Sequence, residues 1–184
     1  MEHESDEKLV KKYLADDEKA FDFLVYKYTT PIYNFTARYI GYGSEAEDLT
    51  QEIFIKIWKS LKKFDLNKKF KPWIFRIARN AIFDYLRKKK VAPIIESIDN
   101  YNNEETVKVV DISQTVLEKI ISTEGAVVVR QAVDKLPEIY RVVLDLHYIN
   151  EFKLVEIGEI LGESINTIKS RHRRALIQLK NLLS

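Results

Sequence analysis

Apolar residues recur at intervals of three and four along most of this chain, which is the spacing of one face of an α-helix. The clearest such stripe consists of Leu49, Ile53, Ile57 and Leu61. The 184 residues include only five glycines and four prolines, so few positions would break a helix, and little in the pattern favours strands. Because 46% of the residues are hydrophobic, the chain can bury a core. The sequence therefore predicts an all-α fold.

Capping residues and prolines predict the helix boundaries of the first half. Residues 6–40 are expected to form two helices, with Pro31 interrupting the second pattern. A helix is predicted to begin at Ser44, which opens a capping box of the form S-x-x-E. Pro72 suits the first turn of the next helix, because the N–H that proline lacks would have no helical partner there. That helix is expected to end within residues 87–90.

The second half begins with a segment in which periodicity weakens. Between Val91 and Gly125 polar and acidic residues accumulate, which indicates a linker with a short helix near residues 116–121. Gly162 and Ser164 are expected to close one later helix and cap the next. Four helices are predicted after the linker, near residues 126–135, 137–149, 153–161 and 165–184. The expected organisation is two small helical domains, 1–92 and 126–184, joined by a flexible linker, 93–125.

The formal net charge of +2 conceals a segregation of charge along the chain. Residues 62–90 carry 11 lysines and arginines against 2 acidic residues, whereas residues 91–125 carry 2 against 7. Residues 169–184 hold 5 basic side chains and no acidic one. The chain therefore has two basic zones that lie far apart in sequence and are separated by an acidic segment.

The composition also argues against disulfides, metal sites, a secretory signal and a membrane-spanning segment. The chain has no cysteine, which excludes disulfides and thiolate metal sites, and three histidines offer little for a histidine metal site. No metal or cofactor is therefore expected. The segment MEHESDEKLV is acidic and polar, unlike a secretory signal, and no apolar run approaches the roughly 20 residues that span a bilayer. We expect a cytoplasmic protein with no membrane segment of its own.

The first basic zone includes the predicted helix KPWIFRIARNAIFDYLRKKK, residues 71–90. On a helical wheel the expected core face consists of Ile74, Ile77, Ala78, Ala81, Ile82 and Tyr85. The opposite side gathers Trp73, Arg76, Arg79, Asn80, Phe83 and Arg87. This side fits a solvated surface with Trp73 covering a domain edge, and it also fits a surface for single-stranded or opened DNA. The flanking segment supports the second interpretation, because Asn67, Lys68, Lys69 and Lys71 add further donors and charge beside Trp73.

The second basic zone has the proportions of a helix-turn-helix, with a short helix, a turn at residues 161–163 and a longer capped helix. The inward residues of the longer helix are Ile165, Ile168, Ala175, Leu176, Leu179 and Leu183, and His172 falls on this apolar side. The outward residues are Asn166, Thr167, Ser170, Arg173 and Arg174, flanked by Lys169 and Arg171. Such side chains suit base edges in a major groove, although a solvated amphipathic helix in a bundle would show a similar pattern.

Three segments together resemble the extracytoplasmic-function (ECF) class of the bacterial sigma-70 family of RNA polymerase sigma factors. They are AEDLTQEIFIKIWKSL (46–61), FKPWIFRIARNAIFDYLRKKK (70–90) and LPEIYRVVLDLHYINEFKLVEIGEILGESINTIKSRHRRALIQL (136–179). The resemblance implies a first domain that binds the polymerase clamp and the minus-10 element. It also implies a second domain that binds the minus-35 element and the polymerase flap. The implied role is transcription initiation rather than catalysis, and an anti-sigma factor becomes a candidate partner.

The resemblance also carries site residues over to this chain. The residues matched to core polymerase binding are Asp48, Gln51, Glu52 and Phe54, and Ile55 joins them because it also lies off the core stripe. The acidic members would equally complement the dipole at the helix N-terminus. The residues matched to minus-10 recognition and strand separation are Asn67, Lys68, Lys69, Trp73, Arg76, Arg79, Asn80 and Arg87. Those matched to minus-35 reading are Asn166, Thr167, Lys169, Ser170, Arg171, Arg173 and Arg174.

The helix-turn-helix departs from the family pattern at several positions. Lys153 stands where a capping serine is usual, Gly158 where alanine is usual, and Asn166 where glycine is frequent. Asn150 and Glu151 replace a frequent Glu-Gly pair. We expect the first helix of the motif to lose about 1 kcal/mol, which is the cost of glycine relative to alanine inside a helix.

Two other functions are compatible with parts of the sequence. A helix-turn-helix repressor or response regulator would share the C-terminal motif, but it would bind its operator without polymerase. A metal-dependent nucleotide hydrolase would use the acidic residues Glu45, Glu47, Asp48 and Glu52. Such an enzyme needs a second carboxylate set, and the following helix offers only Asp84.

Overall fold

The computed structural model describes residues 4–89 and 123–183, and the regular elements in these ranges are all helical, which confirms the predicted fold class. In chain order they are α1 (Asp6–Leu14), α2 (Glu18–Ile40), α3 (Ser44–Ser60), a 3₁₀ turn (Leu61–Lys63), α4 (Phe70–Lys89), α5 (Thr123–Asp134), α6 (Glu138–Leu144), a π-helical turn (Asp145–Ile149), α7 (Leu154–Leu161) and α8 (Ile165–Leu183). The short helix predicted near residues 116–121 and most of the predicted linker, 93–125, lie outside the described residues. None of the helices in the described ranges is both long and apolar enough to cross a membrane.

The described helices belong to two compact units, and the first contains α1–α4. The predicted stripe is buried at all four of its positions, Leu49, Ile53 and Ile57 of α3 and Leu61 of the 3₁₀ turn. It packs with apolar residues of the neighbouring helices, and the largest fully buried side chains of this unit are Leu24, Ile32, Phe35, Ile53, Ile57, Leu61, Phe70, Ile74, Phe75 and Ile82. Burial of these side chains is the main stabilising contribution to such a unit.

Two details of the first unit differ from the sequence-based expectation. Pro31 lies inside α2 and does not end the helical pattern there. Tyr28, Ile32 and Phe35 are buried on both sides of the proline, so packing outweighs the one backbone hydrogen bond that proline cannot donate. Helix α3 does begin at Ser44, but its N-cap is Gly43 with φ 136°, and no side chain caps it, so the predicted capping box is wrong.

Helix α1 is bonded to the two helices that follow it. The Asp6 carboxylate accepts hydrogen bonds from Lys27 Nζ at 2.6 Å and from the Tyr28 hydroxyl at 2.5 Å, both on α2. The indole N–H of Trp58 on α3 donates to the Tyr13 hydroxyl at 2.7 Å. These side-chain bonds fix the position of α1 within its unit.

The second unit is built around α5, α6 and α8. Its core cluster consists of Ala132, Leu136, Tyr140, Leu144, Ala175, Leu176 and Leu179. The helix that was expected near residue 126 begins at Thr123, and the expected helix at 137–149 changes from α to π geometry at Asp145.

The turn between α7 and α8 follows the predicted helix-turn-helix. Gly162 ends α7 with φ 71°, a left-handed conformation that glycine adopts readily. The Ser164 hydroxyl accepts the N–H of Thr167 at 3.1 Å and so caps α8 as predicted. Lys153 begins α7 without a side-chain cap of its own, and its N–H donates to the Glu156 carboxylate at 2.9 Å.

Gly158 has a role that the sequence did not indicate. Its carbonyl accepts the N–H of Glu163 at 2.9 Å, which closes the turn. A Cβ at position 158 would lie 2.9 Å from the Glu163 carbonyl oxygen, closer than real Cβ contacts. The expectation that this glycine only weakens α7 is therefore incomplete, because the turn leaves no space for an alanine.

Candidate nucleic-acid interface

The 65–69 loop connects the 3₁₀ turn to α4 and is organised by its first residue. The Asp65 carboxylate accepts the N–H of Asn67 at 3.0 Å and the side-chain amide of Asn67 at 3.1 Å. The Asp65 carbonyl accepts the N–H of Lys68 at 2.9 Å. All five loop residues are exposed, so the loop presents Asn67, Lys68 and Lys69 to solvent in a turn of fixed shape.

Three aromatic rings pack together at the base of this loop. Phe64 precedes the loop, Phe70 follows it, and both are buried. The Trp73 ring lies against both, with centroid distances of 5.0 Å to Phe64 and 5.6 Å to Phe70. Trp73 remains half-buried, so its ring closes the base of the loop and is still partly open to solvent.

The outer face of α4 carries exposed polar and cationic side chains beyond the tryptophan. Arg76, Asn80 and Arg87 are exposed, and Arg87 pairs with Asp84 at 2.8 Å. Arg79 is half-buried, donates to Asn80 Oδ1 at 3.1 Å and lies over the Phe83 ring at 4.6 Å from its centroid. Trp73, Arg76 and Asn80 follow one another at helical spacing and share one side of the helix.

The buried side of α4 is rotated relative to the predicted core face. Phe75 is fully buried against Phe35, with ring centroids 5.3 Å apart, although the wheel did not assign it to the core. Ile77 and Tyr85 were assigned to the core and are only half-buried. The rotation arises because α4 packs against α2 as well as α3, so the buried face is set by both neighbours.

Helix α8 separates its seven predicted DNA-reading residues into two groups. The exposed group lies three, four and seven residues after its first member and forms one stripe of the helix: Asn166, Lys169, Ser170 and Arg173. The half-buried group is Thr167, Arg171 and Arg174. Within that group the Thr167 hydroxyl is bonded to Ser164 at 2.8 Å, and Arg171 pairs with Glu163 of the turn at 3.1 Å.

Behind this stripe, α8 is supported by aromatic side chains of the π-helical turn. His172 Nε2 lies 3.2 Å from the Tyr148 hydroxyl, and its ring is stacked on that of Tyr148. The ring of His147 contacts both, and its Nδ1 is bonded to the Phe152 carbonyl at 2.8 Å. Burial, together with the neighbouring His147, lowers the pKa of His172 to about 4, so this ring is neutral at physiological pH.

A third candidate surface lies on α3. Asp48, Gln51, Glu52 and Ile55 are exposed at positions that form one stripe of the helix, and Ile55 exposes half of its surface. Phe54 lies apart from them, half-buried among side chains of α2 and α4. Trp58 was missed by the sequence reasoning. It follows Ile55 by three residues and is equally exposed, which its position off the core stripe could have indicated.

The acidic N-terminus of α3 is joined to the basic end of α4. Lys89 Nζ lies 2.7 Å from the Glu45 carboxylate. This hydrogen bond is the main cause that lowers the pKa of Glu45, and the same bond raises the pKa of Lys89. Within residues 4–89 and 123–183, no group of three or more histidine, aspartate and glutamate side chains is placed to hold a metal ion.

Comparison with known proteins identifies both halves of the chain. Residues 24–91 match the family described as Sigma-70 region 2, and residues 126–179 match Sigma-70, region 4. The ECF RNA polymerase sigma factor SigW of Bacillus subtilis (strain 168) is 35% identical over 178 residues, covering 96% of this chain and 95% of the relative. The ECF RNA polymerase sigma-E factor of Escherichia coli (strain K12) is 28% identical over 182 residues, covering 96% and 93%.

Two solved structures share the fold. CnrH in complex with the cytosolic domain of CnrY gives a TM-score of 0.68 at 24% identity, covering 98% of this chain and 97% of that one. The sigma factor RpoE in complex with the anti-sigma factor NepR from Bartonella quintana gives a TM-score of 0.64 at 24% identity, covering 90% and 97%.

Proposed function

Because the chain belongs to the ECF class of the sigma-70 family of RNA polymerase sigma factors, we propose that its two units divide promoter recognition between them. The protein is a promoter-recognising sigma factor that acts in transcription initiation. In the proposed division, residues 1–92 form region 2, residues 93–125 form the linker and residues 126–184 form region 4. The observation that carries this division is the presence of one exposed polar and basic face in each of the two matched regions.

The proposed minus-10 site consists of the 65–69 loop and the outer face of α4. The bond from the Asn67 N–H to Asp65 fixes the shape of the loop, and the exposed side chains of Asn67, Lys68 and Lys69 supply donors for a captured base. Capture of an unstacked base offsets part of the few kcal/mol that unpairing costs. Trp73, Arg76, Arg79, Asn80 and Arg87 would then hold the separated strand, with cations on phosphates and the exposed part of the tryptophan ring against a base.

The proposed minus-35 site is the exposed stripe of α8. Asn166, Ser170 and Arg173 are suited to base edges in the major groove, since amide, hydroxyl and guanidinium groups pair there with defined donor and acceptor patterns. Lys169 would contact phosphate. The half-buried Thr167, Arg171 and Arg174 would contribute at the margins of the site, because Thr167 and Arg171 also hold the turn in place.

The proposed polymerase surface is the α3 stripe of Asp48, Gln51, Glu52 and Ile55, which would dock on the clamp. Phe54 supports this stripe from the half-buried side. Region 4 would contact the flap. An anti-sigma factor is a further proposed partner, because the related fold of RpoE is seen with the anti-sigma factor NepR.

We also propose that the protein acts in the cytoplasm and without catalysis. Its relatives are initiation factors that work on RNA polymerase. Of the four acidic residues that a hydrolase would use, Glu45 is paired with Lys89. Magnesium-dependent release of phosphate or pyrophosphate from nucleotides by the purified protein would contradict this part of the proposal.

The test is reconstitution of the full chain with core polymerase. We expect the two to co-elute in gel filtration, and we expect the complex to select promoter DNA and to start transcripts at one position. The free chain is expected to bind the same duplex much more weakly. If the chain bound its DNA tightly alone and did not co-elute with polymerase, the repressor interpretation would replace this one.

A further inference from the structure

Glu7 on α1 is bonded to the start of α4, 63 positions further along the chain. Its Oε1 accepts the backbone N–H of Phe70 at 3.0 Å. Phe70 is the first residue of α4, where the amide groups have no partners within the helix. A carboxylate at this place also complements the positive end of the helix dipole. Glu7 therefore acts as an N-terminal cap supplied from a distant helix.

The helix that carries Glu7 is held firmly. Leu9 and Val10 of α1 are buried, with 4% and 0% of their surface exposed. Asp6 is bonded to Lys27 and Tyr28 of α2. The Tyr28 ring in turn contacts the Phe70 ring, with centroids 5.8 Å apart. The position of the Glu7 carboxylate is thus set by the core of the unit.

The bond falls where the 65–69 loop joins α4. Asp65 fixes the beginning of the loop through its bonds to Asn67, and Glu7 fixes the residue directly after the loop ends. Two carboxylates therefore hold the ends of a loop whose exposed side chains include Lys68 and Lys69. An acidic residue beside a phosphate-binding surface repels the phosphates and so lowers the affinity of that surface. A surface that acted by charge alone would therefore have no carboxylate at this place.

We propose that Glu7 is a positioning residue for base capture, which it serves by fixing the junction between the 65–69 loop and α4. This inference rests on the proposed minus-10 function of the loop. It assigns to α1, which precedes the matched region 24–91, a part in minus-10 recognition. Glu7 itself does not touch the DNA; it limits the conformations of the loop that does.

Three substitutions at this position separate the hydrogen bond from the charge. Glu7→Ala removes both. Glu7→Gln keeps an oxygen that can accept the Phe70 N–H, and Glu7→Asp keeps the charge on a side chain one methylene shorter. Glu4→Ala is the matched control, because Glu4 is a nearby acidic residue whose carboxylate is bonded to Lys12 on α1.

The experiment uses holoenzyme reconstituted from the full chain and core polymerase. Its ligands are single-stranded oligonucleotides of the non-template minus-10 element, intact or with one abasic position, scanned along the element. The readout is the ratio of affinities for the intact strand and for the most weakened abasic strand. Circular dichroism at the assay temperature establishes that each variant is folded.

We expect Glu7→Gln and Glu4→Ala to keep the wild-type ratio within about twofold. In Glu7→Ala and Glu7→Asp the ratio should fall several-fold, because the N-terminus of α4 loses its cap. General destabilisation of a still-folded unit would leave the ratio unchanged. The positioning role is wrong if Glu7→Ala and Glu7→Asp keep the wild-type ratio. It is also wrong if Glu7→Gln or Glu4→Ala lowers the ratio as much as Glu7→Ala does. In both cases the proposed function stands. A wild type that shows no ratio above one would overturn the assignment of the loop, and the role of Glu7 with it.

Discussion

The ring of Trp73 lies against that of Phe64, with centroids 5.0 Å apart, at the base of the 65–69 loop. Trp73 therefore has two environments, because its ring packs on protein while the side chain remains partly open to solvent. The sequence allowed two interpretations of Trp73, a ring that covers a domain edge and a ring that contacts DNA. Neither describes the environment of this ring fully. Both roles fit one half-buried ring.

Replacing Trp73 by alanine should affect folding and strand separation differently. We expect a loss of about 1 to 2 kcal/mol in the free energy of unfolding, since the ring is only half-buried. Open-complex formation should fall more than duplex binding, as measured by permanganate footprinting of the holoenzyme. Trp73→Phe is the control, because it keeps a ring for Phe64 and Phe70. Unchanged melting in the alanine variant would exclude Trp73 from the proposed minus-10 site.

Arg173→Ala should change which promoter sequences are preferred. If Arg173 is bidentate to guanine, its loss costs about 1 to 3 kcal/mol at one minus-35 position and relaxes the preference there. The measurement is the affinity of the holoenzyme for a panel of single-base variants of its promoter. Lys180→Ala, two helical turns further along α8, is the matched control. Equal weakening on all sequences would identify a phosphate contact instead.

Gly158→Ala should destabilise the helix-turn-helix, although alanine is the better helix former. The gain from helix propensity is about 1 kcal/mol, whereas forcing a Cβ against the Glu163 carbonyl costs about 1 to 3 kcal/mol. We expect a net loss in denaturant unfolding and weaker binding to minus-35 duplex. A variant more stable than the wild type would show that the turn relaxes without cost.

The stability of the protein should fall in mild acid because of His172. In the unfolded chain this ring takes up a proton near pH 6.5, but in the folded chain its pKa of about 4 keeps it neutral. The unfolded state thus binds more protons between these values, and the contribution of His172 to stability is complete above pH 6.5 and is lost as the pH falls toward 4. We expect the free energy of unfolding to fall by about 1 kcal/mol between pH 7 and pH 5. This value is smaller than the full pKa shift would give, because solvent screens a half-buried ring.

The comparison that isolates this effect is with His172→Gln, which keeps a polar partner for the Tyr148 hydroxyl. Unfolding curves at pH 7 and pH 5 should differ less for the variant than for the wild type. Equal differences would mean that other groups cause the pH dependence.

Local patterns predicted the features that neighbouring residues determine. The stripe of α3 and the Ser164 cap followed from residues within a few positions of one another, and the structure confirms them. The rotation of α4 could not be predicted in this way. Phe75 is buried because Phe35 lies beside it, and no periodicity within α4 reveals a partner 40 residues earlier.

In the candidate site, too, local sequence patterns predicted only what neighbouring residues determine. Exposure of Arg173 and Asn80 follows from the amphipathic pattern of their own helices. The half-burial of Trp73 depends on Phe64 and Phe70, which flank the loop and could have been recognised as a pair. The bond between Glu7 and Phe70 has no local signal at all, since it joins segments 63 residues apart.

Helix α1 ends at Leu14, before the point where similarity to Sigma-70 region 2 starts, at residue 24. A fragment trimmed to that homology boundary would discard Leu9 and Val10 from the core together with the hydrogen-bond acceptor of Phe70. The segment that matches the region 2 family is thus shorter than the segment that builds the core of the first unit, and expression of this unit by itself should start no later than residue 4.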